Sequence, residues 1–289
     1  MNFEAEDTVK ASMDKSEFIS MVDDAKSHVI AGDVFQVVVS QRFTQELGVS
    51  ADEVYAVLRA LNPSPYMYLL QLKDSGGSYW IVGSSPEALV KINDRRIISH
   101  PIAGSRPRGT DPVSDTELEK ELLADTKEQS EHLMLVDLAR NDLLRSCEPT
   151  SVNVDEFMVV HRYSHIMHLV STVVGQLRDG ISRVSAVTSA FPAGTLSGAP
   201  KPKALEIIET LEGTNRGLFG GVVGYFDFQG NADLAIAIRT ALIRDSKAYV
   251  QAGAGIVLDS DPESEYQETL AKAKVIQKAI SVANSRTKH

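Results

Sequence analysis

From Tyr66 to about Ala103 the chain runs through apolar stretches of about five to eight residues, parted by Ser75-Gly76-Gly77 and Asn93-Asp94. Breaks this short leave no room for a crossover helix, so the strands are expected to turn back on one another as a β-meander. Ahead of them, Val34 to Phe43 is β-branched and alternating, which places Val34, Gln36, Val38 and Ser40 on one strand face. An amide, Gln36, then points with valines into a covered face. Further strand-like runs occupy 152–177, Gly220 to Phe228, Leu234 to Ile243 and Ala248 to Val257.

Helical spacing alternates with these runs. Phe18, Met21, Val22, Ala25, Val29 and Ile30 mark an amphipathic helix over Ser16 to Ala31, stopped by Gly32. Ser50 and Glu53 form a capping box for a helix to about Leu61, closed by Asn62-Pro63. Ser114 and Glu117 form another, opening a helix to about Ala124. Further helices are predicted over Lys127 to Arg145, Ser182 to Ala190, Pro202 to Leu211 and Pro262 to Ala283. With no internal repeat and no Pro/Ser-rich linker, one α+β unit over 1–289 with much antiparallel sheet is expected.

Composition narrows the function classes. A chain of 289 residues, 43% hydrophobic and 24% charged, is neither disordered nor collagen-like. With no apolar run of 18 residues and an acidic start, MNFEAEDTVK, neither a spanning helix nor a secretory signal is expected. The net charge of −10 opposes phosphate backbones, so nucleic acid is a poor partner. The lone Cys147 follows a helix C-terminal end, where the dipole disfavours a thiolate, and agrees with a reducing, cytoplasmic setting.

Two glutamate pairs, Glu128 with Glu131 and Glu265 with Glu268, each share one helical face by their i, i+3 spacing. If the faces met, four carboxylates would call for a hard divalent cation such as Mg2+; taken singly, each pair also suits a helix first turn. His161, His165 and His168 would form a zinc stripe on a helix, but the strand-like run after them leaves His168 as a separate cleft or core histidine. The loop Gly194 to Lys201 opens a helix and offers N–H groups to an anion, or serves as turn punctuation. Arg239, on an expected central strand among small apolar residues, needs an internal or a ligand carboxylate.

Taken in order, DVFQVVVSQRF (33–43), NPSPY (62–66), GSSPE (83–87), PIAGSRPRG (101–109), EHLMLVDLARND (131–142), FPAGTLSGAPK (191–201), GLFGGVVGYF (217–226) and GAGIVLDSDPESEYQET (253–269) closely resemble the chorismate-utilising enzymes. The resemblance is strongest to the large-subunit (component I) family of anthranilate synthases. It implies a layered α/β/β/α chorismate-binding fold of the aminodeoxychorismate synthase type. It implies Mg2+-dependent conversion of chorismate and ammonia to anthranilate and pyruvate, the first committed step of tryptophan biosynthesis. Glu131 and Glu268 match the family's Mg2+ ligands, with Glu128 and Glu265 beside them. Arg239 matches the residue gripping the enolpyruvyl carboxylate, helped by Gly253 and Gly255, and Lys272 a lysine near the ring carboxylate. Glu87 matches the general acid for loss of the C4 hydroxyl, and His168 the histidine of pyruvate elimination. Thr195, Ser197 and Gly198 match the loop lining the substrate.

Family members differ at two of these positions. Isochorismate and salicylate synthases carry a lysine at Gln36 to activate water, and aminodeoxychorismate synthases a nucleophilic lysine at Ala103. An amide and a methyl group do neither, which points to ammonia and to anthranilate. An isochorismate-type or aminodeoxychorismate-type synthase and a weakly catalytic binding module remain the alternatives. Ser105 replaces a usual threonine and keeps the hydroxyl. Phe219 replaces a usual tyrosine and loses a contact to the enolpyruvyl carboxylate. No Gly-x-Cys-x-Gly loop occurs, so ammonia would arrive directly or from a separate glutamine amidotransferase subunit. Family members carry a further N-terminal region with part of a tryptophan pocket and some of the glutaminase contact; a chain truncated, split or minimised ahead of its core would show weak feedback inhibition, with Asn62 to Tyr66 as the surviving wall.

Overall fold

A computed structural model of the chain describes residues 9–163 and 166–286. In chain order these form β1 (Lys10–Ala11), α1 (Lys15–Ile30), β2 (Gln36–Glu46), α2 (Ala51–Leu61), β3 (Tyr66–Asp74), β4 (Gly77–Ser85), β5 (Ala88–Asn93) and β6 (Arg96–Ser99). There follow β7 (Ile102–Pro107), α3 (Pro112–Ala124), α4 (Thr126–Leu144), β8 (Asn153–Arg162), β9 (Ile166–Gln176), α5 (Arg183–Ala190) and α6 (Gly194–Ser197). The chain ends with β10 (Gly198–Ala199), α7 (Lys201–Glu212), β11 (Val222–Phe226), β12 (Ala232–Ile236), β13 (Thr240–Arg244), β14 (Lys247–Ile256) and α8 (Pro262–Arg286).

Contacts divide the chain into two compact units, one of residues 1–87, 195–222 and 236–289, the other of 88–194 and 223–235. In the first, an antiparallel sheet has the order β1-β2-β14-β13-β4-β3, with β10 added on β2. The alternation of β2 explains its packing. Val37 and Val39 meet Phe18, Met21 and Val22 of α1 and Ala204, Ile207 and Ile208 of α7. Phe43, on the same face, joins Val54 and Leu58 of α2 and Ile276 and Ile280 of α8. Each such buried side chain contributes about 1.5–3 kcal/mol. Gln41 and Gln45 also face α8, where their amides donate to Thr269 Oγ1 (2.7 Å) and Ser281 Oγ (2.8 Å). Gln36, on the opposite face, is buried as its neighbours implied.

In the second unit the order is β11-β12-β5-β6-β9-β7, with β8 on β9. Leu122 of α3 packs on Met167 and Leu169 of β9. The α+β, largely antiparallel architecture expected of the sequence is present, with four local differences. The run from Tyr66 is not one meander: β3 and β4 belong to the first sheet, β5 and β6 to the second, and β9 lies between β6 and β7. The change falls at Ser85-Pro86-Glu87, where Pro86 has no N–H to continue a ladder. The run Leu234 to Ile243 is likewise two strands, because Arg239 adopts φ 50° and turns the chain from one sheet to the other. Asp111, not Ser114, caps α3: its carboxylate accepts from the Val113 and Ser114 N–H groups, and Ser114 fills the third position of the box. Finally, His168 lies on a strand, β9, as the run after it implied, but His161 stands opposite it as a cross-strand partner on β8 rather than apart from it, and His165 lies outside the described residues.

Cys147 is buried, bridges by its backbone to Leu177, and burial pushes its thiol up, in keeping with a structural role. Among the described residues no helix is long and apolar enough to cross a membrane.

Candidate active site

In the first unit the site candidates collect around Glu87. The single turn of α6 and the two residues of β10 lead the chain from Gly194 onto β2, where Gly198 pairs with Val37 and Ala199 with Gln36. Gly198 adopts φ 130°, and a Cβ there would lie 2.1 Å from the Gln36 carbonyl oxygen, so no other residue fits the position without moving backbone. The turn delivers Thr195, whose hydroxyl donates to Glu87 Oε1 at 2.9 Å, and Ser197, which is buried. Desolvation pushes the Glu87 carboxyl up to about 7, against the opposing pulls of the Thr195 hydroxyl and the Lys272 ammonium. A carboxyl at that value is half protonated near neutrality and suits general acid work.

Lys272, on α8, donates to Glu268 Oε1 at 2.6 Å and to the Gly253 carbonyl at 3.0 Å. Gly253 and Gly255 pair with Ser40 and Val38 across β14 and β2, and a Cβ on Gly255 would meet Gln36 Nε2 at 2.6 Å. A side chain at Gly255 would therefore take the space the Gln36 amide occupies. Arg239 is not on a strand as expected but at the break between β12 and β13, in the left-handed region. Burial lowers its guanidinium pKa, and Glu268 pulls it back. Among the described residues Arg239 forms no ion pair, so a largely desolvated guanidinium is available to a ligand carboxylate. Phe219 turns its ring toward the Arg216 guanidinium, 5.5 Å from the centroid.

In the second unit, β7 carries a bulge between Ala103 and Ser105, with Gly104 at φ 75°. The bulge aims the Gly104 carbonyl at His168, whose Nδ1–H donates to it at 3.1 Å. Burial holds the imidazole below the ordinary histidine value, which leaves a neutral ring with Nε2 as the basic nitrogen. Ala103 and Ser105 pair with Leu169 and His168 of β9. Glu128 and Glu131 lie on α4. Arg106 donates to Glu121 Oε1 (2.9 Å), Asp125 Oδ2 (2.8 Å) and Glu128 Oε1 (3.4 Å), so Glu128 carries a cationic neighbour as Glu268 does.

All four metal candidates offer carboxylate oxygen, the donor set that fits a hard dication. Among the described residues no three His, Cys, Asp or Glu side chains are grouped as a ready-made metal centre. Sequence reasoning missed Arg106, the buried Glu212–Arg216 pair and His132, whose Nε2 bonds Ser171 Oγ at 2.7 Å. Arg106 and His132 had a local signal, lying inside the PIAGSRPRG and EHLMLVDLARND motifs, whereas Glu212 and Arg216 lie in none.

The sequence profile of the chorismate binding enzymes matches residues 1–278. Anthranilate synthase component 1 of Mycolicibacterium smegmatis is 55% identical over 276 residues, which are 95% of this chain and 53% of that protein. The protein of the same name from Aquifex aeolicus is 53% identical over 277 residues, 95% of this chain and 55% of that one. The chain thus spans about half the length of the curated relatives it matches. Among solved structures, anthranilate synthase component I of Streptococcus pneumoniae aligns with a TM-score of 0.84 at 43% identity, covering 93% of this chain and 59% of that one. The menaquinone-specific isochorismate synthase of Escherichia coli aligns with a TM-score of 0.82 at 25% identity, covering 94% and 62%.

Proposed function

The chain belongs to the family of chorismate binding enzymes, and from that premise we propose that it converts chorismate and ammonia to anthranilate and pyruvate, the entry step to tryptophan. The observation that carries the reading is Glu87, a carboxyl tuned to about 7 and held by the Thr195 hydroxyl at 2.9 Å. It supplies the proton that the C4 hydroxyl needs to leave as water while ammonia adds at C2. Arg239, with no protein ion-pair partner among the described residues, takes the enolpyruvyl carboxylate. Thr195, Ser197 and Gly198 line the substrate, and Lys272 serves its ring carboxylate. His168 takes up a proton at Nε2 as pyruvate is eliminated, its Nδ1–H being held by Gly104. Glu131 and Glu268, with Glu128 and Glu265, would hold Mg2+, which when bound supplies a hard Lewis acid for the ring carboxylate.

The choice of ammonia over water rests on Gln36 and Ala103. A buried amide pressed against Gly255 cannot deprotonate water, and a methyl group at 103 offers no covalent nucleophile. Ammonia enters as such or from a separate glutamine amidotransferase subunit. The same fold in an isochorismate synthase keeps the hydroxylating alternative in view. Incubation with chorismate, Mg2+ and ammonium tests the reading: fluorescent anthranilate with stoichiometric pyruvate is expected. A hydroxylated diene would transfer the chain to the isochorismate branch, and turnover no greater than that of Glu87→Gln would make it a binding module.

A further inference from the structure

At the end of α7, Gly213 takes φ 61° and the chain reverses, so that Arg216 returns onto the last residue of the helix, Glu212. The pair is buried, with 2% of the Glu212 side chain and 15% of Arg216 exposed. Glu212 Oε1 accepts from the Ser40 N–H (2.7 Å), the Ser40 hydroxyl (2.6 Å) and Arg216 Nη2 (2.6 Å), and Oε2 accepts from Arg216 Nε (2.8 Å). The guanidinium continues outward: Nη1 donates to the Leu196 carbonyl at 2.5 Å and Nη2 to the Val38 carbonyl at 2.6 Å. One planar fork thus ties the end of α7, the middle of β2 and the turn of α6. Leu196 is the neighbour of Thr195, and Val38 stands two residues from Gln36.

We propose that the Glu212–Arg216 pair is a positioning device for the reaction, holding the 194–199 turn on β2 so that the Thr195 hydroxyl meets Glu87. The claim rests on the reading of Glu87 as the general acid. Stability alone does not account for a buried ion pair here, since such pairs can commonly be replaced by apolar residues of similar size without loss. What the fork provides is direction: its donors are coplanar and fixed, whereas a lysine in the same place has one nitrogen and cannot reach Leu196, Val38 and both Glu212 oxygens together. The turn is also tied by backbone just ahead of β2, where the Phe35 N–H donates to the Ala199 carbonyl at 2.7 Å. Its β10 ladder is two residues long, and Gly198 leaves it without a side chain at the crossing.

Two variants separate positioning from folding: Arg216→Lys, and the paired Glu212→Met, Arg216→Met, which leaves no buried unpaired charge. Each is expected to lower kcat about tenfold or more, because displacing a reacting contact by about 1 Å carries a penalty of that order or larger. The loss in kcat exceeds any change in KM for chorismate, and the melting temperature of the paired variant is unchanged or higher. In a Thr195→Val background Arg216→Lys causes little further loss, as expected for two changes acting through one contact. Backbone hydrogen exchange over residues 194–199 speeds up while β2 beyond Ser40 is unaltered. Wild-type kcat in the paired variant, multiplicative losses with Thr195→Val, or unchanged exchange in the turn would each overturn the proposal. If the wild-type chain forms no anthranilate, the functional reading fails by itself, and the exchange experiment still decides whether the pair holds the turn.

Discussion

Glu87 shows how far one side chain's behaviour departs from its reference chemistry once it is folded. Its value rises from 4.5 to about 7, chiefly by desolvation, so the protonated form is the one the fold favours. The stabilisation is therefore complete below about pH 4.5 and disappears as pH rises through about 7. A shift of that size corresponds to roughly 3 kcal/mol at most. Glu87→Gln, which cannot ionise, is expected to gain up to about that much on the wild type between pH 4.5 and pH 8 in urea unfolding, while turnover drops ~10²–10⁴-fold. Parallel pH profiles of stability would show that the carboxyl is not desolvated. Thr195→Val removes a bond that lowers the Glu87 value. The limb on which activity falls at high pH should then move further up the scale, and a limb displaced downward would contradict the assignment. Among single residues, Glu87 was legible from its contiguous GSSPE motif, Arg239 as a lone charge among small apolar residues, and His168 as a histidine on a strand-like run. Arg216 was not: its acceptors Leu196 and Val38 lie 20 and 178 positions away, and nothing local announces a contact across that distance.

At the scale of elements, periodicity found most helices and strands within a residue or two, and it failed where the backbone does something a hydropathy pattern does not record. Pro86 and the left-handed Arg239 divide what read as continuous strands, and Asp111 rather than Ser114 caps α3 because its carboxylate reaches two N–H groups. The same reasoning distinguishes two glycines of the site. A Cβ on Gly198 would meet the Gln36 backbone oxygen at 2.1 Å with φ at 130°, whereas on Gly255 it would meet only the far end of the Gln36 side chain, at 2.6 Å. Gly198→Ala is expected to destabilise the fold by about 2 kcal/mol or more, with activity lost alongside. Gly255→Ala should lose activity with at most about 1 kcal/mol of stability, since a side-chain tip can swing aside. Denaturant titration of the two variants checks the contrast, and equal losses would mean that Gln36 is as rigid as the backbone beside it.

On the scale of the whole molecule, the chain passes between its two units after Glu87, Gly194, Val222 and Ala235. Each unit carries one glutamate pair and one cationic neighbour for it, Arg106 with Glu128 and Lys272 with Glu268. In a chain of net charge −10, a dication adds favourable charge wherever carboxylates are concentrated. Chelation of divalent cations with EDTA is expected to abolish anthranilate formation and added Mg2+ to restore it. Calorimetric Mg2+ binding should vanish in the Glu131→Gln, Glu268→Gln double variant while its melting temperature stays within a few degrees, exposed ion pairs being worth at most about 1 kcal/mol. Full activity in the presence of EDTA would remove the metal from the reaction. The amino-acid order alone determined the α+β class, the antiparallel habit of the strands and the residues worth suspecting, because periodicity, caps and contiguous motifs are properties of neighbours along the chain. Only tertiary structure decided where runs of strand divide, which carbonyl holds His168, and how burial, Thr195 and Lys272 set Glu87. Desolvation and hydrogen bonding depend on atoms brought together from distant positions, and separation along a chain carries no record of them.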